Sequence, residues 1–395
     1  MPKVQRSTDT FQKFTDSIKI LLIQSQIFGL VTFSLAETNF RPSKTRSVQS
    51  ILMIGVLNAF VVYFLCECVK DQANQSIPKT TTLLNFSCGT TYMCVAWMNA
   101  LLNRDKFITF LNKLVDFDDT LQEKCRLVNY QECKKGVVRR ALTKHLFLVV
   151  YISFYAAFTR YQFDIYKQIG QYLGFFISIV NAAVCHQTIE LVLLLKMRFA
   201  ILNQQIDDIV EYFATSQVNL VSNSSQIQDR ALALGKICTL HHHLSKLVKL
   251  FNDNFGMTLL LMFGFNFMTT TTTLFYVTGA LQANDIKWIS VVYVFMTSIC
   301  YMVDTLWVCD VCYSTVEEAS RTGELIHKIE TDDTDIVDEI EMFSLQIANH
   351  NVEFNAAGFF PINYALIFSI IGGVTTYIII LIQLAASLND ERQNY

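Results

Sequence analysis

Few residues in this chain stand at spacings that do chemistry, and most of those fail on closer reading. Cys309 and Cys312 form a C-x-x-C, but they continue an apolar helical stretch and no second pair stands at metal-ligand spacing. They read as helix-packing thiols. His241, His242 and His243 point in three directions on a helix, and no second cluster completes a metal site. No His-Glu-x-x-His, Gly-x-Ser-x-Gly or phosphate loop occurs, so nothing points to an enzyme, a metal or a cofactor. Glu190 and Asp304 carry more weight, because an ionisable group inside an apolar stretch costs at least ~2.5 kcal/mol and faces protein or water. Both fall in the inner halves of their stretches, which favours a packing or anchoring role over ligand contact. His186, one turn from Glu190, is its candidate partner.

The remaining polar pattern is a stripe. From Ala356 to Leu388 the chain has no Asp, Glu, Lys or Arg, which is a transmembrane signal. At 100° per residue Ser369, Gly373, Thr376, Ile380, Gln383 and Ser387 share one face of this rod. Two readings stay open: a close helix-packing face, or a wall facing water in a pore.

The elements that must carry these residues follow from hydropathy. With 52% hydrophobic and 13% aromatic residues and a positive mean hydropathy, the 395-residue chain is a multi-pass membrane protein. A net charge of −3 gives no bias toward nucleic acid. Apolar stretches at 47–69, 79–103, 145–163, 168–195, 254–282 and 286–313 join the last one to predict an all-α fold of seven spans. Residues 18–36 are shorter and interrupted by Lys19, Gln24, Ser25 and Gln26, reading as a span or as a re-entrant or interfacial helix, with Ser34-Leu-Ala36 resembling a signal cleavage site. With the amino terminus inside, 25 Lys and Arg fall on inner segments and six on outer ones, which leaves the carboxyl terminus outside.

The expected organisation is a cytosolic stretch 1–46 with the short apolar helix, a six-span ligand-binding bundle 47–313 with cytosolic helical extensions, a cytosolic anchor 314–355, the last span 356–388 and an outer tail 389–395. In the anchor, Ile336, Ile340, Phe343 and Ile347 recur at helical spacing behind the acidic start Asp332-Asp333-Thr334-Asp335. Between the inner extensions, Val218 to Ser225 breaks the periodicity and predicts a loop. The outer half collects aromatics: Tyr155, Phe158 and Tyr161 on the third span, Phe175 on the fourth, Tyr276 on the fifth, Trp288 and Tyr293 on the sixth, with hydroxyls at Thr269–Thr273. They fit the wall of a small-molecule pocket or an interfacial belt.

The carboxyl-terminal residues also carry a resemblance. Phe343, Gln346, His350, Val352 and Phe354, then Gly358 and Phe360, then Thr376-Tyr377, five apolar residues and Gln383-Leu384, are similar to the C-terminal signature of insect gustatory receptors. Leu384 stands where that family usually has phenylalanine. The resemblance implies a tastant-gated cation channel in the plasma membrane of sensory neurons, assembled as a homotetramer or with related receptors. It implies a gate at Gln383 and Leu384, to which the stripe adds Thr376 and Ile380 as pore-facing positions, and a pocket open to the outside. It also implies a cytosolic anchor that holds the subunits together. Ile378, where sugar receptors of the family often have glutamate, favours a bitter or other non-sugar tastant. A multi-pass transporter is the rival class, opposed by the missing repeat and by only 14 Gly and 4 Pro. An odorant receptor of the same architecture is the nearer rival.

Overall fold

The computed structural model describes residues 8–70, 77–124, 128–159, 165–219, 224–281 and 288–393. Two short helices, α1 (Thr8–Ser17) and α2 (Lys19–Ile27), precede a hairpin of β1 (Phe33–Leu35) and β2 (Phe40–Pro42), paired antiparallel with Ser34 opposite Arg41. At 1.5 Å per residue the nine residues of α2 reach ~14 Å, under half the hydrocarbon thickness. Residues 18–36 therefore hold a short helix and a strand in place of one helix of span length. The hairpin is seated by aromatic edges, Phe33 against Phe40 at 5.4 Å and against Phe107 at 5.3 Å.

Each of the seven predicted apolar stretches overlaps a long helix: α3 (Lys44–Lys70), α4 (Ile77–Leu102), α6 (Tyr130–Thr159), α7 (Ile165–Asn219), α8 (Ser224–Leu281), α9 (Trp288–Ile326) and α11 (Tyr364–Gln393), the last stretch being helical only from Tyr364, because residues 356–363 turn ahead of it. Five of them, α3, α7, α8, α9 and α11, are apolar enough among the described residues to cross a membrane by length and composition alone. Near Asn103 the chain bends from α4 into α5 (Arg104–Lys124), with the Asn103 amide donating to Asn99 Oδ1. α7 and α8, of 55 and 58 residues, run ~80 to 90 Å, nearly three times the hydrocarbon core. The predicted loop at 218–225 falls where α7 ends and α8 begins; residues 220–223 lie outside the described ones.

Below the spans, α5, the long ends of α7, α8 and α9, and α10 (Thr334–Asn349) close around Phe14, Phe110, Phe199, Phe251, Phe343 and Phe354, all buried. α10 starts where the sequence requires: Asp333 is extended (φ −74°, ψ 121°) and its carboxylate accepts from the Asp335 and Ile336 amides at 3.1 and 3.2 Å. Its apolar stripe faces inward, with Ile336 and Phe343 buried. The chain then makes a tight reversal before α11. Asn355 bridges to Pro361, Ile362 N–H donates to Phe354 O at 2.8 Å, and Ala357 and Gly358 take φ of 52° and 78°. Gly256 of α8 is what lets this reversal sit down, since a Cβ there would stand 2.7 Å from the Ala357 nitrogen. Asn252 fixes it further, donating to Glu353 O at 2.7 Å.

Candidate functional site

α6 is tied to its neighbours by two ion pairs that sequence reading did not find. Arg140 grips the buried Glu190 of α7 with a fork, Nε to Oε1 and Nη2 to Oε2 both at 2.6 Å. His186 lies 3.5 Å from Glu190, yet among the described residues neither ring nitrogen makes a hydrogen bond, so Arg140 is the hydrogen-bonded partner. One turn higher, Lys144 Nζ meets Asp304 of α9 at 2.5 Å and lies 5.7 Å from the Trp307 ring. Charges that would be costly alone are thereby paired.

Above this second pair, α2, α6, α7 and α9 leave a cavity of about 370 Å³. Ile23, Ile27 and Phe147 line it on the apolar side, Lys144 and Asp304 on the charged side. Tyr151, Ser178 and Tyr301 form the polar wall. Asn181 also lines it; its side chain is 1% exposed and its Oδ1 has no hydrogen-bond partner among the described residues. A buried amide oxygen left open costs roughly 1 to 3 kcal/mol, which a donor brought by a guest would recover.

The cavity opens onto a run of aromatic rings. Tyr151 is stacked between Phe175 (6.0 Å, 21°) and Tyr293 (5.9 Å, 23°). Its hydroxyl lies 3.3 Å from that of Tyr293 and 3.5 Å from Thr297 Oγ1, long for hydroxyl pairs and so easily exchanged for a better partner. Ser178 and the Tyr301 hydroxyl are closer, at 2.8 Å. Tyr301 then meets Phe265 of α8 edge-on at 5.4 Å, and Phe265 stacks on Tyr92 of α4 at 5.6 Å. Such a site can hold a small, mostly apolar molecule carrying one or two hydrogen-bonding groups.

Of the aromatics named from sequence, Phe175 and Tyr293 are in this run. Tyr276 and Trp288 are 47% and 63% exposed and do not line the cavity. Tyr155 and Phe158 are carried on α6 with side chains outside the described residues, and Tyr161 lies wholly outside them. Sequence reading missed Tyr151, Ser178, Asn181 and Tyr301. The available signal was helical: Lys144, Tyr151 and Tyr155 recur at i, i+7 and i+11 on α6.

The second feature is α11. Within Tyr364–Leu384 only Val374 is buried, against most of the apolar part of α7. Leu366, Ile367, Ile370 and Gly373 lean on the protein, Gly373 so closely that a Cβ would meet the Phe267 ring at 3.0 Å. Gly373, assigned to the stripe from sequence, is thus a packing position. Thr376, Ile380, Gln383 and Leu384 are exposed, and Tyr377 meets Phe267 edge-on at 5.8 Å. Phe265 and Phe267, two residues apart on α8, therefore face the aromatic run and α11 respectively.

Among the described residues no group of three or more His, Cys, Asp or Glu stands close enough to hold an ion. His241 instead packs between Phe199 and Phe343, 5.3 and 5.6 Å away, with its Nε2 3.3 Å from Ala319 O.

Comparison with known proteins adds to this geometry. A family model described as 7tm chemosensory receptor matches residues 18–386. In Drosophila melanogaster, putative gustatory receptor 28a is 22% identical over 90% of this chain and 89% of its own length, and gustatory receptor 68a is 22% identical over 91% and 93%. Gustatory receptor for bitter taste 66a is 26% identical, across 41% of this chain and 32% of that protein, so this match spans about a third of the relative. Among solved structures, the insect olfactory receptor OR5 from Machilis hrabei has the same fold, with a TM-score of 0.70 free and 0.68 in complex with eugenol. The likeness covers 95% of this chain and 99% of that one at 14% identity.

Proposed function

The chain belongs to the 7tm chemosensory receptor family, and on that footing we propose that it is a gustatory receptor: a tastant-gated, non-selective cation channel in the plasma membrane of sensory neurons. The observation that carries the channel reading is α11. An apolar helix with one buried residue in 21 needs covering, and Thr376 and Gln383 are poor company for lipid tails. One helix encloses nothing, but a symmetric tetramer brings four copies of that face around an axis. The proposed assembly has seven spans, the amino terminus inside, the carboxyl terminus outside, and the α10 layer as the cytosolic anchor between subunits, with a related receptor able to replace some copies.

The proposed tastant site is the cavity beside Tyr151 and the ring run above it, with Phe175 and Tyr293 in contact and Tyr276 and Trp288 further toward the outside; Tyr155, Phe158 and Tyr161 are proposed from the sequence alone. A guest that hydrogen-bonds Tyr151 or Asn181 better in one arrangement of α6, α7 and α9 favours that arrangement by its differential affinity. α8 lies between, with Phe265 on the site and Phe267 on Tyr377 and Gly373 of the gate helix, so a shift of α8 reaches both. The largely apolar lining and Ile378 support a bitter or other non-sugar tastant. An odorant receptor is the second reading, favoured by the fold shared with an olfactory receptor.

Expression of the chain alone in oocytes, with current and tracer uptake recorded over alkaloids, sugars and volatile phenols, tests the proposal. Steady current far above uptake for a non-volatile tastant supports it. Uptake in fixed ratio to current would make the protein a transporter, and a response confined to volatiles an odorant receptor.

A further inference from the structure

We propose that the foot of α6 is a binding site for an anionic phospholipid of the cytosolic leaflet. The helix has two faces below mid-membrane. Cys133, Val137 and Ala141 are buried on the inner face, where Arg140 and Lys144 take Glu190 and Asp304 as partners. The outer face carries three more cations, Lys134, Lys135 and Arg139, all exposed, and among the described residues none of them pairs with a carboxylate.

Directly above these cations the same face turns apolar, with Leu142 and Leu146 65% and 67% exposed and Val149 exposed beyond them. A groove of about 670 Å³ joins the two zones, lined by the three cations, Val138, Leu142 and Leu146. From Lys135 to Leu146 is ~16 Å of helix, the depth of a headgroup region and the first half of an acyl chain. That vertical order, unpaired cations below and bare leucines above, complements an anionic headgroup with its tail, and the groove lining itself holds no carboxylate. Occupancy bears on the tastant site because Lys144 and Tyr151 stand on the same helix, two to four turns higher. The inference rests on the proposed inside position of residues 104–144.

Native mass spectrometry of the full-length protein, extracted in detergent and offered phosphatidylcholine, phosphatidylserine or phosphatidylinositol bisphosphate, reads the site directly. The parent should retain the anionic lipids over phosphatidylcholine, and the triple variant Lys134→Gln/Lys135→Gln/Arg139→Gln should lose them by on the order of a hundredfold, roughly fivefold per cation removed. Should the triple variant fail to fold, Arg139→Gln alone should show the single-cation loss. Leu142→Ser/Leu146→Ser should weaken retention of the lipids without changing retention of inorganic phosphate. Unchanged lipid retention in the triple variant overturns the proposal, as does phosphate competing as well as whole lipid. A changed oligomeric mass with lipid retention intact also overturns it, in favour of a contact between copies. Binding in detergent is blind to sidedness, so it stands or falls separately from topology, which antibody labelling of a tag near residue 124 reports.

Discussion

Arg198 and Asp118 meet in a two-pronged ion pair, Nε to Oδ1 at 3.0 Å and Nη2 to Oδ2 at 2.6 Å, with neither side chain exposed. Tyr130 adds a third bond, its hydroxyl donating to Asp118 Oδ2 at 2.9 Å. Burial, and then the Asp118 charge, push the Tyr130 phenol well above its usual value, so it remains a donor. Removing one partner strands the other. Asp118→Ala should cost about 3 to 5 kcal/mol, seen as a lower melting temperature in fluorescence-detected size exclusion. The paired change Asp118→Leu/Arg198→Met should cost clearly less. Equal loss in both would make the cost one of packing and not of an uncompensated charge.

This pair also marks where sequence reading reaches its limit. Long apolar stretches, the Asp333 start of α10 and the stripe from Ile336 to Ile347 were legible because they are local: each depends on residues within a few turns. Asp118 and Arg198 are 80 positions apart, and Asp118 sits in an amphipathic helix where an acid raises no alarm. Glu190 and Asp304 did raise one, but their partners Arg140 and Lys144 lie 50 and 160 positions away. His186 was named for Glu190 because it was one turn off, and helical proximity lost to a longer arginine with two donors. The candidate site followed the same rule. Aromatic clustering by depth found Phe175 and Tyr293, whereas Tyr151 and Tyr301 became visible only once α6 and α9 were packed against α7.

Sidedness is the next test. A tag after Tyr395 should be labelled by antibody on intact cells, and one inserted near residue 124 only after permeabilisation, given 25 Lys and Arg on the proposed inner segments against six outside. The reverse pattern would invert the placement of cavity, anchor and gate together.

At the cavity, Tyr151→Phe and Asn181→Ala each remove one hydrogen-bonding group and should raise the half-maximal tastant concentration roughly two- to tenfold at equal surface level, the worth of about 0.5 to 1.5 kcal/mol. Phe175→Ala and Tyr293→Ala should shift it in the same direction by unstacking Tyr151. Tyr276→Ala and Trp288→Ala give the contrast. If only these two shift the response, the tastant binds nearer the outer mouth than the cavity.

Stability should depend on pH through His241, which lies on α8 below the predicted span. Burial holds its imidazole down at about 4, against an ordinary value of 6.5, while the Ala319 carbonyl pulls weakly the other way. Between those values the unfolded chain binds a proton that the folded chain does not, so stability falls as pH drops from 6.5 toward 4. His241→Phe, between Phe199 and Phe343, should flatten part of that fall in thermal unfolding of the purified protein. An unchanged slope would remove His241 from the account.

Gln383 offers the sharpest test of the gate. It is exposed near the outer end of α11, with Ile380 48% and Leu384 47% exposed beside it. An amide on a lipid-facing helix finds no partner there, and leaving it unpaired costs roughly 1 to 3 kcal/mol. Around a symmetry axis four such amides meet water or each other, and Ile380, one turn below, supplies an apolar ring that can exclude water when closed. Leu384 is smaller than the phenylalanine usual at that position, which should leave the closed ring less complete and the basal current higher than with Leu384→Phe. Gln383→Ala should reach the surface and alter ion selectivity or block. Cysteine at 380 or 383 should react with a charged thiol reagent at a rate that depends on tastant. If Gln383→Ala conducts like the parent and neither cysteine reacts under any condition, the exposed face of α11 is a packing surface and the ions pass elsewhere.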